Sequence, residues 1–524
     1  MNRQKHPIGI ANFQSIRTRG YYYVDKTPHI KKLIDQGEYY FLSRPRRFGK
    51  SLLLDTMREL FAGNESLFEG LHIHGHWDWS TQYPVVRLSF GSAHYGEQGI
   101  LKQNVRAQLK RLEIDHRLTD VYESENLNEF DRFGNLLYHI HAETGKQVVV
   151  LVDEYDKPIL DALDNPELAK SNRDFLQGLY GVIKDFGEQI RFAFLTGITM
   201  FSKLNLFSAL NNLDDISLDP QFSAICGYTE HDLETVFAPE LEGLDRSQIR
   251  HWYNGYNWLG EEKVYNPWAI LKLLKSRKFE MYWSVASMPT FLYKVMMERR
   301  FTPLDVDNLK VEKSFVSTFE IGSIGAKALM FQSGYLTIKK EYMEGVNNIL
   351  KLDYPNLEVR AYLNEGYLGY LFGSSEALPV EPKQLVGLLE KEDFEGFEIA
   401  LRTLFSAIPH QWHASNSKMA CYEGWYCSVL YSCLWDVADT GIRAEESSSR
   451  GRSDLSLVIG DQVFVFECKM LKEGMDKEQA AAEAIEQIND RGYADRYRDG
   501  FKSVHLIGAV FDSEEKNLAA MKVV

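Results

Sequence analysis

EYYFLSRPRRFGKSLLLDTMRELFAG, residues 38 to 63, decides how the rest of the chain is read. Its front, EYYFLSR, is a short β-rich run set off by Gln36-Gly37. Its back carries Leu52, Leu53, Met57, Leu60 and Phe61 at helical spacing, with Gly63 as a C-terminal stop. Gly49-Lys50-Ser51 lies between them, so a strand, a loop and a helix follow in order. A helix N-terminus reached by a close-packed backbone is a natural seat for phosphate. Gly49 permits that approach, Lys50 brings charge to the terminal phosphates, and the Ser51 hydroxyl holds Mg²⁺. A phosphate loop also asks for a first glycine, and here that place holds Arg44.

Gly-Lys-Ser is weak evidence without a second element, which GKQVVVLVDEYDKPIL, residues 145 to 160, supplies. Val148 to Val152 form an unbroken apolar run of the kind a central parallel strand shows, and it ends in Asp153-Glu154. An Asp at that strand end helps to hold Mg²⁺, and the adjacent Glu polarises the attacking water as a general base. YPVVRLSF (83 to 90), IRFAFLTGI (190 to 198) and FSAICGYT (222 to 229) are expected to fill out the sheet. Strands alternating with helical patterns imply a parallel α/β sheet. Thr196, with Thr199 close by, is placed beside the phosphates.

The composition sets outer bounds. A chain of 524 residues is long for one core and is expected to hold two to four domains. No apolar run reaches the length of a membrane span, and MNRQKHPIGIANF lacks the apolar centre of a signal peptide. Cys226, Cys421, Cys427, Cys433 and Cys468 form no CxxC pair and read as free thiols, so a cytoplasmic protein is expected. The formal net charge of −15 excludes a broadly basic, DNA-coating surface and confines nucleic-acid contact to a local cleft.

The last hundred residues carry a second constellation. In SSSRGRSDLSLVIGDQVFVFECKMLKEG, the run from Asp454 turns at Gly460-Asp461 and returns as QVFVFECK, which is a hairpin signal. Val463, Val465, Glu467 and Lys469 share one face of the second strand, and Phe464, Phe466 and Cys468 the other. Asp454 and Glu467 across a hairpin can bind Mg²⁺ through oxygen, with Mn²⁺ as a substitute. The metal acidifies a water, and Lys469 positions that water or offsets charge. The helical stretch DKEQAAAEAIEQIND follows, with Gln487 able to reach back, and then the strand SVHLIGAVF. Arg450 and Arg452 are the best-placed local phosphate contacts.

Several stretches carry a family resemblance: PIGIANFQSIRTRGYYYVDKT (7 to 27), RPRRFGKSLLLDTM, VDEYDKPI, ICGYTEHDLETVF and HWYNGYNWLGEEKVYNPWAIL. Together they resemble the bacterial AAA-ATPase-like proteins, which carry an ATPase domain at the front and usually a small nuclease-like domain at the back. Loops reading RPRRFGKS are usual in that family, so Arg44 in the place of glycine is a family trait. The resemblance implies that Arg47, Phe48, Gly49, Lys50, Ser51, Leu52, Asp153 and Thr196 bind ATP and Mg²⁺, with Glu154 serving hydrolysis. It leaves Asp25, in YVDKT, without assigned chemistry. The D-x₁₂-E-x-K spacing from Asp454 to Lys469 looks like the PD-(D/E)XK nuclease core, with Ser453 where that motif has Pro. Glu423, in CYEGWYCSVLYSCL, matches the first-helix acid of many members.

The resemblance implies an α/β fold: an AAA/ASCE-like P-loop sheet, a helical lid, a linking region and a restriction-endonuclease-like C-terminal domain. The expected parts are 1–237, 238–310, 311–410 and 411–524. Thr229 to Asp232 open a helix with a capping box, and Asn266-Pro267 lead into another. ALMFQSGYLTIKKEY reads as a strand pair or a helix-strand unit, and Glu390 to Glu398 as a solvated acidic face. Arg299-Arg300 read as solvated helix arginines, the alternative being charge supplied in trans within a homo-oligomer. His72, His74 and His76 alternate as strand metal ligands do, but no cysteine completes the set and a surface loop is the better reading.

Two functions of different kinds follow. One is an ATP-driven, metal-dependent enzyme that processes nucleic acid, DNA favoured. The other is a nucleotide-switched binding or signalling ATPase whose nuclease fold no longer cuts.

Overall fold

A computed structural model describes residues 3–118, 127–200, 210, 212–283, 289–307, 309–316, 325–373, 378–408, 423–435, 442–447, 452–497 and 500–524. The chain packs as two units, Met1–Ala286 with Lys310–Glu358, and Ser287–Leu309 with Val359–Val524.

The first unit is built on five parallel strands, β1 (Tyr39–Ser43), β2 (Val85–Ser89), β3 (Val148–Asp153), β4 (Ile190–Gly197) and β5 (Asp214–Asp215), in the order β2-β3-β4-β1-β5. Parallel strands buried on both faces need continuous apolar sequence, and Val148, Val149, Val150, Leu151 and Val152 are all fully buried. Each contributes about 1.5–3 kcal/mol by leaving water, so a charge at Val150 would break the sheet. Helices Lys50–Phe61, Ile100–Asp115 and Glu129–Thr144 pack on it. In register, Ser43 stands beside Gly197, Thr196 beside Asp153, and Asp153 beside Ser89. The candidate residues therefore gather along the carboxyl edge, where open α/β sheets bind ligands.

One strand was expected elsewhere. FSAICGYT is not part of the sheet; Pro220–Phe222 form a 3₁₀ turn, and only Tyr228 pairs, in an isolated bridge with Tyr265. Pro220 has no N–H to give a ladder, Asp219 caps the turn through Gln221, and the Phe222 carbonyl is taken by the Arg44 side chain. The fifth strand is instead the two-residue edge Asp214–Asp215, too short and polar to signal itself.

Further along, Thr229 and Asp232 form a reciprocal capping box at helix Glu230–Val236. Asn266 caps helix Pro267–Ser276, with Pro267 in its first turn. A small antiparallel pair, β6 (Asn254–Tyr256) and β7 (Val264–Tyr265), joins this region. ALMFQSGYLTIKKEY is a helix-strand unit: Ala326–Ser333 leads into β9 (Thr337–Glu344), which joins β8 (Lys310–Glu312) and β10 (Asn347–Asp353) in an antiparallel sheet ordered β8-β10-β9. His72 and His74 lie on a 3₁₀ turn, His72–Gly75, and His76 follows as its cap; the His72 and His76 rings stack at 4.3 Å, and His74 faces Glu65 instead. Asp25 accepts from Thr27 N–H, Thr27 Oγ1 and His72 N–H, which makes it an anchor for these turns.

The second unit holds a five-stranded sheet ordered β11-β12-β13-β14-β15: β11 (Ile442–Ser447), β12 (Arg452–Ile459), β13 (Gln462–Met470), β14 (Ser503–Asp512) and β15 (Asn517–Val523). β12 and β13 form the expected hairpin about Gly460-Asp461, and β13 runs parallel to β14. The parallel step needs a crossover, supplied by helix Lys477–Arg491 with Asp476 as its cap. Val463 and Val465 pack against Ile485 and Ile488 of that helix. The opposite face sets Phe466 against Phe397 and Phe464 against Phe394, from helix Phe394–Ser406. Among the described residues no helix is long and apolar enough to cross a membrane.

Two candidate active sites

In the first unit the phosphate loop leaves β1 at Ser43 and enters helix Lys50–Phe61 through Gly49, whose φ of 95° lies in the left-handed region that glycine adopts freely. Lys50 is buried and donates to the carbonyls of Arg44 (2.8 Å) and Pro45 (3.0 Å). Burial lowers its pKa, while the charges of Asp153 and Glu154 pull it back up. Ser51 and Leu52 occupy the first turn. Phe48 is buried edge-on to Tyr256 (4.8 Å) and Trp258 (5.3 Å), and its carbonyl accepts from Gly227 N–H. Arg47 is exposed, with φ 69°, and stacks on Trp268 at 4.3 Å.

Asp153 ends β3 with one oxygen, Oδ2, paired to Arg87 at 3.2 Å. Its Oδ1 is buried without a partner. An orphaned carboxylate oxygen is costly unless a ligand meets it, and an oxygen-loving cation bound through phosphate suits it. Glu154 follows at φ 53°, a strained conformation for glutamate of the sort found at functional sites. Burial raises its pKa, with Lys50 opposing, which suits a general base. Thr196 pairs with Asp153 across the sheet, and its hydroxyl is spent on the Leu42 carbonyl at 2.9 Å. Thr199 gives both its N–H and its hydroxyl to Asp156 Oδ2, at 2.6 Å each.

Three residues of this site were missed in the sequence. Arg87 bridges Asp153 to Asp55, and Asp55 also takes the Phe13 N–H at 2.7 Å. Asp156 is fully buried, and burial raises its pKa. A signal for Arg87 existed: it is the charged residue inside the apolar run YPVVRLSF.

In the second unit Leu455 pairs with Phe466, which brings the adjoining Asp454 and Glu467 together across the hairpin. Asp454 Oδ2 accepts from Cys468 N–H at 2.8 Å. Glu467 is 4% exposed; Gln487 donates to its Oε1, and its Oε2 is buried without a partner. Burial and the charges of Asp454 and Glu423 push the Glu467 carboxyl up to about 8, against a lowering by Lys469. Glu423, at the start of helix Glu423–Trp435, is itself raised by burial, opposed by Lys469 and the Met470 N–H. Asp454, Glu467, Lys469, Gln487 and Glu423 thus converge. Repelling carboxylates with one orphaned oxygen form a set that a divalent cation would relieve. Arg452 opens β12, where its backbone pairs with Ser447, and Arg450 lies outside the described residues. Cys427 and Cys468 are buried thiols in mutual contact behind the site. Cys421 also lies outside the described residues.

Residues 7–207 match the family described as "Predicted AAA-ATPase" (AAA-ATPase-like), and residues 421–521 match the PD-(D/E)XK nuclease superfamily. Over its whole length the chain is 46% identical to a protein of Azotobacter chroococcum mcd 1, the "Uncharacterized protein in vnfD 5'region", of which it covers 99%. The chain belongs to the AAA-ATPase-like family. This AAA-ATPase-like protein carries its nuclease-superfamily domain at the C-terminus, and the two matched regions contain the two sites just described.

Proposed function

We propose that this AAA-ATPase-like protein binds and hydrolyses ATP and, at its C-terminal hairpin, cuts phosphodiester bonds of nucleic acid with a divalent metal, DNA being the favoured substrate. The observation that carries the second half is the buried, unpartnered Glu467 Oε2 beside Asp454 and Lys469.

In the ATPase unit, Lys50 would exchange its two carbonyls for the terminal phosphates, Ser51 and Asp153 would hold Mg²⁺, and Glu154 is placed to take a proton from the attacking water. In the nuclease-like unit, Asp454 and Glu467 would hold Mg²⁺ or Mn²⁺. Bound there, the ion lowers the pKa of a water and offsets charge on the phosphate. Lys469 orients that water, Gln487 fixes the Glu467 carboxylate, and Glu423 extends the acidic set. Mn²⁺ titration by calorimetry tests this: the wild type gives a binding heat that Glu467→Ala loses, and equal heats would overturn it.

A second reading, a nucleotide-switched binding protein with an inactive nuclease fold, has one observation in its favour. Asp454 Oδ2 is already taken by the Cys468 N–H and Glu467 Oε1 by Gln487, which leaves fewer free oxygens for a cation. The same titration separates the two readings.

A further inference from the structure

Arg44, standing where a phosphate loop has its first glycine, is one of the largest fully buried side chains of the described residues. Its Nη1 donates to the carbonyls of Ser43 (2.8 Å) and Ser217 (2.9 Å), its Nη2 to that of Phe222 (3.0 Å), and its guanidinium lies on the Trp258 ring at 4.1 Å. Burying a guanidinium is expensive, and three carbonyl dipoles and an indole face offset that cost. Trp258 stacks on Tyr256, and both rings meet Phe48 of the same loop. The WYNGYNW motif, which neither site uses directly, therefore forms the floor under the phosphate loop. Meanwhile the Arg44 backbone is fixed from both sides: its N–H bonds the Gly197 carbonyl at 3.1 Å, and its own carbonyl accepts from Lys50.

We propose that Arg44 is a positioning residue: anchored on Trp258 and the carbonyls of Ser217 and Phe222, it sets the path of the loop and the aim of Lys50, and it does not touch phosphate. A glycine gives such a loop conformational freedom; here a rigid fork fixes one conformation instead. The inference rests on the ATP reading of this loop.

The test uses the full chain and calorimetric binding of ATP and ADP to wild type, Arg44→Lys, Trp258→Ala and the double variant, with melting curves recorded without nucleotide. Lysine cannot reproduce the fork or the stacking, so each single variant is expected to bind both nucleotides about 10- to 100-fold more weakly, the range for losing hydrogen bonds to a charged group. ATP and ADP weaken by the same factor, because the effect passes through the loop and not through the γ-phosphate. The double variant is no weaker than the worse single one, as partners in one contact are non-additive. Folded Arg44→Lys with wild-type affinity overturns the proposal, and so does a loss confined to ATP, which would make Arg44 a γ-phosphate ligand. Should Arg44→Lys fail to fold, unchanged affinity in Trp258→Ala, with Arg44 intact, overturns it as well. Wild type that binds neither nucleotide fails the ATP reading, and this inference with it.

Discussion

Replacing Glu358 by Gln is expected to change how stability depends on pH while keeping every hydrogen bond of the carboxylate. Glu358 is 1% exposed and accepts the backbone N–H groups of Tyr282 (2.5 Å) and Trp283 (2.6 Å) through one oxygen. A Gln carbonyl oxygen accepts the same two. Burial lifts the carboxyl from 4.5 to about 8, against the lowering by these two bonds. The folded state therefore holds a proton that the unfolded chain releases. The contribution is fully present below pH 4.5 and is lost as pH rises through 8. At 1.36 kcal/mol per decade the range spans at most about 5 kcal/mol. In Glu358→Gln that slope disappears, so the variant gains on the wild type steadily from pH 5 to 8.5. A kcal/mol moves the melting temperature by about 2–4 °C at 150–250 residues and by less in a unit larger than that, so a few degrees should separate them at pH 8.5. Tryptophan-fluorescence melts at pH 5.5, 7 and 8.5 make the comparison. Parallel curves for the two proteins would mean that Glu358 is ionised throughout and that its burial is better compensated than the geometry indicates.

Other changes have outcomes as definite. Lys50→Ala should abolish the rise in melting temperature that ATP gives the wild type, about 2.7 kcal/mol at a hundredfold excess over Kd, as read by thermal shift with Mg²⁺. Gly255→Ala should destabilise by more than about 3 kcal/mol in chemical denaturation. Its Cβ would lie 1.9 Å from the Pro355 carbonyl oxygen, at a φ of 134°. Arg87→Met should cost about 1–3 kcal/mol, less than a fully buried pair because Arg87 is partly exposed. Adding Asp153→Asn should restore part of that loss, since without Arg87 the buried Asp153 carboxylate has lost its ion-pair partner, whereas Asp55 keeps Arg58 at 3.0 Å.

Much of this was legible in the sequence, and for identifiable reasons. Val148 to Val152 announced a central strand because a parallel strand must be apolar on both faces, and Gly49-Lys50 announced the turn into a helix. The hairpin from Asp454 to Lys469 was readable because a Gly-Asp turn between two β-rich runs fixes the pairing, and the pairing fixes which residues face each other. FSAICGYT misled because composition marks burial and not pairing: its Phe222 and Cys226 are core residues of a turn. The edge strand β5 and the role of Arg44 were hidden for a common cause. Both depend on which distant carbonyls and strands lie alongside, and spacing along the chain does not encode that. Arg87 and Asp156 belong to the same class, as charges whose partners come from other strands and loops of the fold.

The most direct test of the account is cleavage of supercoiled plasmid and single-stranded DNA by the full chain, with Mg²⁺ or Mn²⁺, with and without ATP, comparing wild type with Glu467→Ala. The account predicts metal-dependent cutting by the wild type that vanishes in the variant. No cutting under any condition, or cutting that survives in Glu467→Ala, would contradict it.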